Sequence, residues 1–211
     1  MIRVSLLALC VAGCGADPGS SASVPTGAPT SSTAVSSGSP LERYFPLVDG
    51  HLYSYDVDTL SDHPSTGALS ASVSRTGPTT GTFRIGSTTR QIQYEPDGVA
   101  ATEPSGDRAY LLKAPLVEGT SWLGARGGQI RIVNAHATVA VGAGTFVECV
   151  VTEEKRGGDF PKDVTSTYCP DVGLVELSIK SPAAVERASL KQFGPPVNLG
   201  PEGVTHTVTP E

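Results

Sequence analysis

The chain has 211 residues, 38% of them hydrophobic, and its 15 Lys and Arg against 21 Asp and Glu give a net charge of −6. An acidic balance without a basic cluster argues against nucleic acid and against electrostatic binding to anionic headgroups. The length suits one domain with a sizeable core.

Residues 1–13 have the parts of an export signal. Arg3 supplies a positive start, and an apolar run from Val4 to Ala12 is broken only by Ser5. The run is far short of the ~20 residues a helix needs to span a bilayer. Val11-Ala12-Gly13-Cys14 then reads as a lipobox, with small residues before a Cys whose thiol accepts lipid. Cys10 is the poorer candidate because bulky Leu9 precedes it. The alternative is an ordinary signal peptide with an incidental cysteine. Several acyl chains on Cys14 would give stable anchoring, since each buried methylene is worth about 0.8 kcal/mol. Gly15, in place of the Asp that retains enteric lipoproteins in the inner membrane, favours the outer membrane.

Residues 14–40 are expected to form a disordered tether. From Gly15 to Pro40 there are eight Ser, four Pro and four Gly, with no Lys, Arg or aromatic. Such a segment buries too little apolar surface to offset its ordering entropy. As a flexible coil it would reach ~25 to 30 Å.

Residues 41–193 read as a single β domain, followed by a loosely ordered Pro- and Gly-rich tail at 194–211. Tyr53, Tyr55 and Val57 alternate with Ser54 and Asp56, and Leu69, Ala71 and Val73 alternate with serines. Thr82 to Ile85 and Gln91 to Tyr94 form the arms of a hairpin turning near Gly86-Ser87. Further strands are expected at 108–113, 145–155, 163–169, 173–180 and 185–193. In the long run from Gln129 to Val139, strict alternation puts Asn134, His136 and Thr138 on one face with Ile130 and Ile132. No window of helical length has a convincing apolar stripe. The expected fold is all-β: an antiparallel curved sheet of about ten strands, a barrel or half-barrel, because closure removes exposed edges.

Cys149 and Cys169 flank the turn signal Arg156-Gly157-Gly158-Asp159-Phe160-Pro161, so they are expected to face each other across a hairpin. In an exported protein such a pair oxidises, adding roughly 3 kcal/mol in the chain-entropy model. Free thiols or a redox couple are the alternative, although no Cys-x-x-Cys supports the latter. A weak internal echo links Pro46-Leu47-Val48-Asp49-Gly50-His51-Leu52-Tyr53 with Pro115-Leu116-Val117-Glu118-Gly119-Thr120-Ser121-Trp122. Each would turn the chain and feed an aromatic into the core; both a duplicated half-barrel and chance reuse of a turn fit it.

Four blocks carry a resemblance: Tyr44-Phe45-Pro46-Leu47 with Gly50; Tyr110-Leu111-Leu112-Lys113 with Pro115-Leu116, Gly119 and Trp122; Gly142-Ala143-Gly144-Thr145-Phe146 with Cys149; and Tyr168-Cys169-Pro170-Asp171-Val172-Gly173-Leu174. The pattern resembles a group of uncharacterised Gram-negative lipoproteins. It departs from that group at Tyr53, where Trp is usual, at Gly142, often Pro, and at Cys169, usually Ala or Val. The resemblance implies a β domain of unknown function, similar to half-barrels that carry lipids or lipoproteins across the periplasm, and it implies no catalytic residue.

No catalytic signature appears. Gly119-Thr120-Ser121-Trp122-Leu123-Gly124 places its second Gly one position too late for a nucleophile elbow at Ser121. Gly142-Ala143-Gly144 opens no helix and reads as a turn. His51, His63, His136 and His206 lack metal-site spacing, and Asp56, Asp58 and Asp62 lack the Gly and distal Glu of a calcium loop. No metal and no cofactor are expected. His136, Trp122 and Tyr53 are the candidate ligand-contacting residues, each with a purely structural alternative. The expectation is a non-enzymatic, membrane-anchored binding module for an apolar or amphipathic small molecule. The alternative is a structural or assembly protein that docks a cell-envelope partner.

Overall fold

The structure is a computed structural model that describes residues 39–195, apart from Arg126, Asp159 and Phe160. The signal segment, Cys14, most of the tether, the tail from 196 with its His206, and the centre of the 156–161 turn lie outside the described residues.

Ser39 and Pro40, expected in the tether, instead open a short helix, α1 (Pro40–Tyr44). Ser39 caps it, its side chain accepting from the Leu41 N–H while Glu42 reaches back to the Ser39 N–H. This Ser-x-x-Glu capping box starts a helix too short to show an apolar stripe. Its role is to hold Leu41 and, beyond the helix, Phe45 and Leu47 in the core, all three buried. The Tyr94 hydroxyl fixes this entry, donating to the Phe45 carbonyl at 2.8 Å and accepting from the Leu47 N–H at 2.7 Å. Phe45 meets Phe83 edge to face at 5.3 Å.

Among the described residues twelve strands follow: β1 (Leu52–Leu60), β2 (Ser65–Arg75), β3 (Thr80–Ile85), β4 (Thr88–Glu95), β5 (Gly98–Thr102), β6 (Arg108–Lys113), β7 (Ser121–Leu123), β8 (Gln129–Val141), β9 (Gly144–Arg156), β10 (Lys162–Cys169), β11 (Gly173–Lys180) and β12 (Val185–Gly194). All belong to one antiparallel sheet in the order β6-β5-β4-β3-β2-β1-β12-β11-β10-β9-β8-β7. The sheet curls so that its outer strands meet: the Trp122 indole on β7 donates to the Tyr110 carbonyl on β6 at 2.9 Å. The result is the all-β, nearly closed barrel expected. The added strands β5 and β7 are short, and β5 reads Gly-Val-Ala-Ala-Thr, without the alternation that marks a half-exposed strand.

The architecture is two six-strand meanders, β1–β6 and β7–β12, joined where β1 pairs with β12. The sequence echo opens each one with the same backbone pattern. The Gly50 N–H donates to Val73 O and Gly119 to Ile132 O. His51 donates to Val48 O and Thr120 to Val117 O, while Val73 donates to His51 O and Ile132 to Thr120 O. Both glycines hold positive φ, 74° and 90°, where a Cβ is unfavourable. Tyr53 and Trp122 both end buried.

The long β8 departs from strict alternation. Register shifts between Ile132 and Asn134, and again before Ala137 and Val139, change its phase. Ala135 is buried while Asn134, His136 and Thr138 are exposed, so these three do not share the face of Ile130 and Ile132. The Asn134 side chain accepts from the His136 N–H at 2.8 Å, a local bond that competes with the ladder and marks the bulge. On the partner side β9 pairs with β10, and Cys149 and Cys169 form a disulfide with Cα atoms 4.2 Å apart.

Candidate functional site

Alternation on β9 turns Thr152, Glu154 and Arg156 to the inside of the sheet, between outward Glu153 and Lys155. Cross-strand register then sets Ile130, Glu154, Val164 and Ile179 side by side, with Ile132, Thr152, Ser166 and Leu177 in the next row. Directly paired residues share a face, so these rows form one wall. The opposite wall comes from the first meander: Arg90 on β4, Ala101 and Glu103 on and after β5, and Ala109 to Leu111 on β6. Between the walls lies a cavity of about 260 Å³ at the meeting of β6 and β7.

Its lining mixes aliphatic side chains with four charges. Glu154 is only 7% exposed. Its Oε2 accepts from Arg156 Nη2 at 2.5 Å, whereas Oε1 is buried and has no partner among the described residues. Arg156 Nε is likewise buried and unpartnered. Arg90 Nε lies 2.9 Å from Glu103 Oε1, yet lacks the alignment of a hydrogen bond, so it too goes unsatisfied. A buried polar atom left without a partner costs about 1–3 kcal/mol. Three such atoms around one hollow are a large debt for a fold to carry.

The β7–β8 turn is shaped around the Glu154 carboxylate. Gly124 donates to Gly128 O at 2.7 Å, and a Cβ built on either glycine would fall 2.7 Å from Glu154 Oε1. Glycine at both positions is what admits the carboxylate. Tyr168 also lines the hollow; burial, foremost, pushes its hydroxyl up with a small contribution from Glu154, while Ser166 and Arg90 act the other way. On the β6 wall the Tyr110 hydroxyl donates to Glu95 Oε2 at 2.5 Å. That bond, foremost, pushes Tyr110 up to about 12 and holds Glu95 below its usual carboxylate range, with Arg108 also pairing to Glu95.

The three candidates from sequence do not converge. Trp122 stands where β7 meets β6, beside the cavity. Tyr53 is buried on β1, stacked on Phe193 at 6.3 Å, and borders a separate groove of about 570 Å³ with Leu52, Ser72, Arg84 and Gln192. That groove is larger, but none of the buried unpartnered atoms among the described residues lies in it. His136 points to solvent, its side chain 76% exposed, with Nδ1 2.6 Å from Glu148 Oε2. Among the described residues no group of three or more His, Cys, Asp or Glu is placed to hold a metal. Asp56 instead pairs with Lys191 at 3.0 Å.

Sequence reasoning missed Arg90, Glu103, Glu154 and Arg156. Glu153-Glu154-Lys155-Arg156 carries charge in both strand phases, which hides the inward pair, and Arg90 sits between polar Thr89 and Gln91. The usable signal was the Gly124 and Gly128 pair opposite a strand that carries an acid.

No family model matches the chain, and no curated protein matches it. Among solved structures, a Bacteroides fragilis protein described as exported, with a YmcC-like fold, superposes at a TM-score of 0.48 and 13% identity over 72% of this chain and 98% of its own. A Parabacteroides distasonis protein described as a lipoprotein gives 0.46 and 11%, with the same coverage of 72% and 98%. A LolA superfamily protein from Nitrosomonas europaea gives 0.28 and 10%, over 74% and 90%. At these scores the likenesses carry no weight for the site, which stands on the geometry of this chain alone.

Proposed function

We propose that this protein is a non-catalytic binding module, held at a bacterial membrane surface by lipid on Cys14, whose barrel cavity takes a small amphipathic ligand. One observation carries the reading: three polar atoms, on Glu154, Arg156 and Arg90, are buried without hydrogen-bond partners among the described residues, around one partly apolar hollow. Aliphatic walls with a few convergent polar groups are the general build of ligand sites. The cavity is slightly below the ~300 Å³ at which drug-sized pockets begin, so the ligand, or the part of it that enters, is small.

The address rests on the sequence signal at Val11 to Cys14, and Gly15 favours the outer membrane. Fractionation of cells tests it: the natural chain should sediment with membranes and Cys14→Ser should not. Equal partition of the two would refute the anchor. Native mass spectrometry of the full chain recovered from cells tests the cavity. A releasable adduct is expected, and Val164→Phe, which fills the hollow, should lose it while remaining folded. Bare natural protein, or an adduct that survives in the variant, would refute the binding reading.

A second reading, docking of an envelope protein, draws on β7. With three residues it matches little of the β6 edge, and an exposed edge invites an added strand.

A further inference from the structure

The walls of the cavity pose a specific chemical demand. Glu154 Oε1 is a carboxylate oxygen, nine-tenths buried, that needs a hydrogen-bond donor. Arg156 Nε and Arg90 Nε are guanidinium donors that need an acceptor. They arrive from different meanders, β9 and β4, and meet only at this hollow. Among the described residues two arginines and two glutamates line it, and their charges cancel, so they offer no net charge to attract a simple ion of either sign. A lone anion would leave Glu154 Oε1 unsatisfied, and a lone cation would leave the Nε donors of Arg156 and Arg90 so. Hydrogen bonds between ionised partners are roughly twice as strong as neutral ones, so a ligand with both charges answers the site best. Ile130, Val164, Leu177 and Ile179 supply apolar surface beside the charged groups for a carbon body.

We infer that the cavity binds a zwitterion: an ammonium and a carboxylate or phosphate on one short frame with an apolar continuation. The ammonium lies against Glu154 Oε1, and the anionic group takes the open donors of Arg156 and Arg90. The inference rests on the binding reading above and gives it a ligand class. An amino acid or peptide end free in solution and the ethanolamine phosphate head of a lipid share this chemistry. The cavity volume admits either a whole small solute or a headgroup whose chains stay outside.

Titration calorimetry on the full chain tests the class with matched probes. L-leucine carries both charges; 4-methylpentanoate lacks the ammonium, 3-methylbutylamine lacks the carboxylate, and erythritol is uncharged. O-phosphoethanolamine represents the lipid head. One of the zwitterions should bind at least tenfold more tightly than every other kind of probe, and which of the two leads identifies the source as solute or lipid. Glu154→Gln should weaken that zwitterion at least tenfold without weakening 4-methylpentanoate, and Arg90→Gln should weaken the zwitterion without weakening 3-methylbutylamine. The second variant serves if the first does not fold. Equal binding of a half-molecule or of erythritol would overturn the zwitterion and leave the binding module standing. Failure of every probe, together with bare protein from cells in the mass spectrum, would overturn both.

Discussion

Glu154 is held on one side by Arg156 and on the other by backbone that only glycine can provide. In Gly128→Ala the new Cβ would meet Glu154 Oε1 at 2.7 Å and Cγ at 2.9 Å, with Arg156 Cγ at 3.0 Å. The carboxylate must move, so the substitution should cost about 1–3 kcal/mol of stability, as overpacking does, and should weaken ligand binding as well. Unchanged denaturant midpoint and unchanged binding would count against the placement. Glu95 sets a separate, pH-linked expectation. The Tyr110 hydroxyl lowers its pKa in the folded chain, so its contribution is complete above the unfolded carboxylate value and fades as pH falls through the lower folded one. Tyr110→Phe should return Glu95 toward the ordinary range in an NMR titration and flatten the acid limb of stability. A Glu95 titration that does not move in the variant would show that Arg108, not Tyr110, governs it.

At the scale of elements, much was legible where alternation is regular and turn residues are explicit. The Gly86-Ser87 hairpin joins β3 and β4 with Ile85 opposite Thr88, and β6, β10, β11 and β12 fall within a residue of their expected ranges. The facing cysteines came from the same logic, since a hairpin centred near 159 puts 149 and 169 together. Reduction of this bond should lower stability by about 3 kcal/mol, read as a shift in thermal or denaturant midpoint; no shift would show that the hairpin holds itself. The features that stayed hidden depend on contacts outside the local pattern. The β8 bulge reverses its phase through one Asn134 side chain, and so His136, in phase with Ile132 by counting, faces water. The α1 segment is too short for periodicity, and it matters because it delivers the next residue, Phe45, to the core, where that ring is 5% exposed and packs on Phe83. Phe45→Ala should therefore cost about 3–5 kcal/mol, and a small change in unfolding midpoint would mean that this entry segment does not belong to the core.

For the whole molecule, the two meanders open alike and close differently. The nine-residue β1 pairs along its length with β12, whereas its counterpart β7 has three residues and meets β6 through the Trp122 indole. A short β7 turns what would be a full strand pair into a seam, and the charged cavity lies behind it. Local stability tracks hydrogen bonding, so amide exchange should be faster at β7 and the outer edge of β6 than across the β1–β12 pair; equal protection would mean that the barrel is effectively shut. The seam was not legible in sequence, because it depends on where a strand stops and not on what it contains. The most direct measurement is an electron-density map of the full chain as recovered from cells. The expected result is a small molecule within hydrogen-bond distance of Glu154 Oε1 and of Arg156 or Arg90 Nε. Ordered water alone satisfying all three atoms would make the quartet a structural network and contradict the binding role.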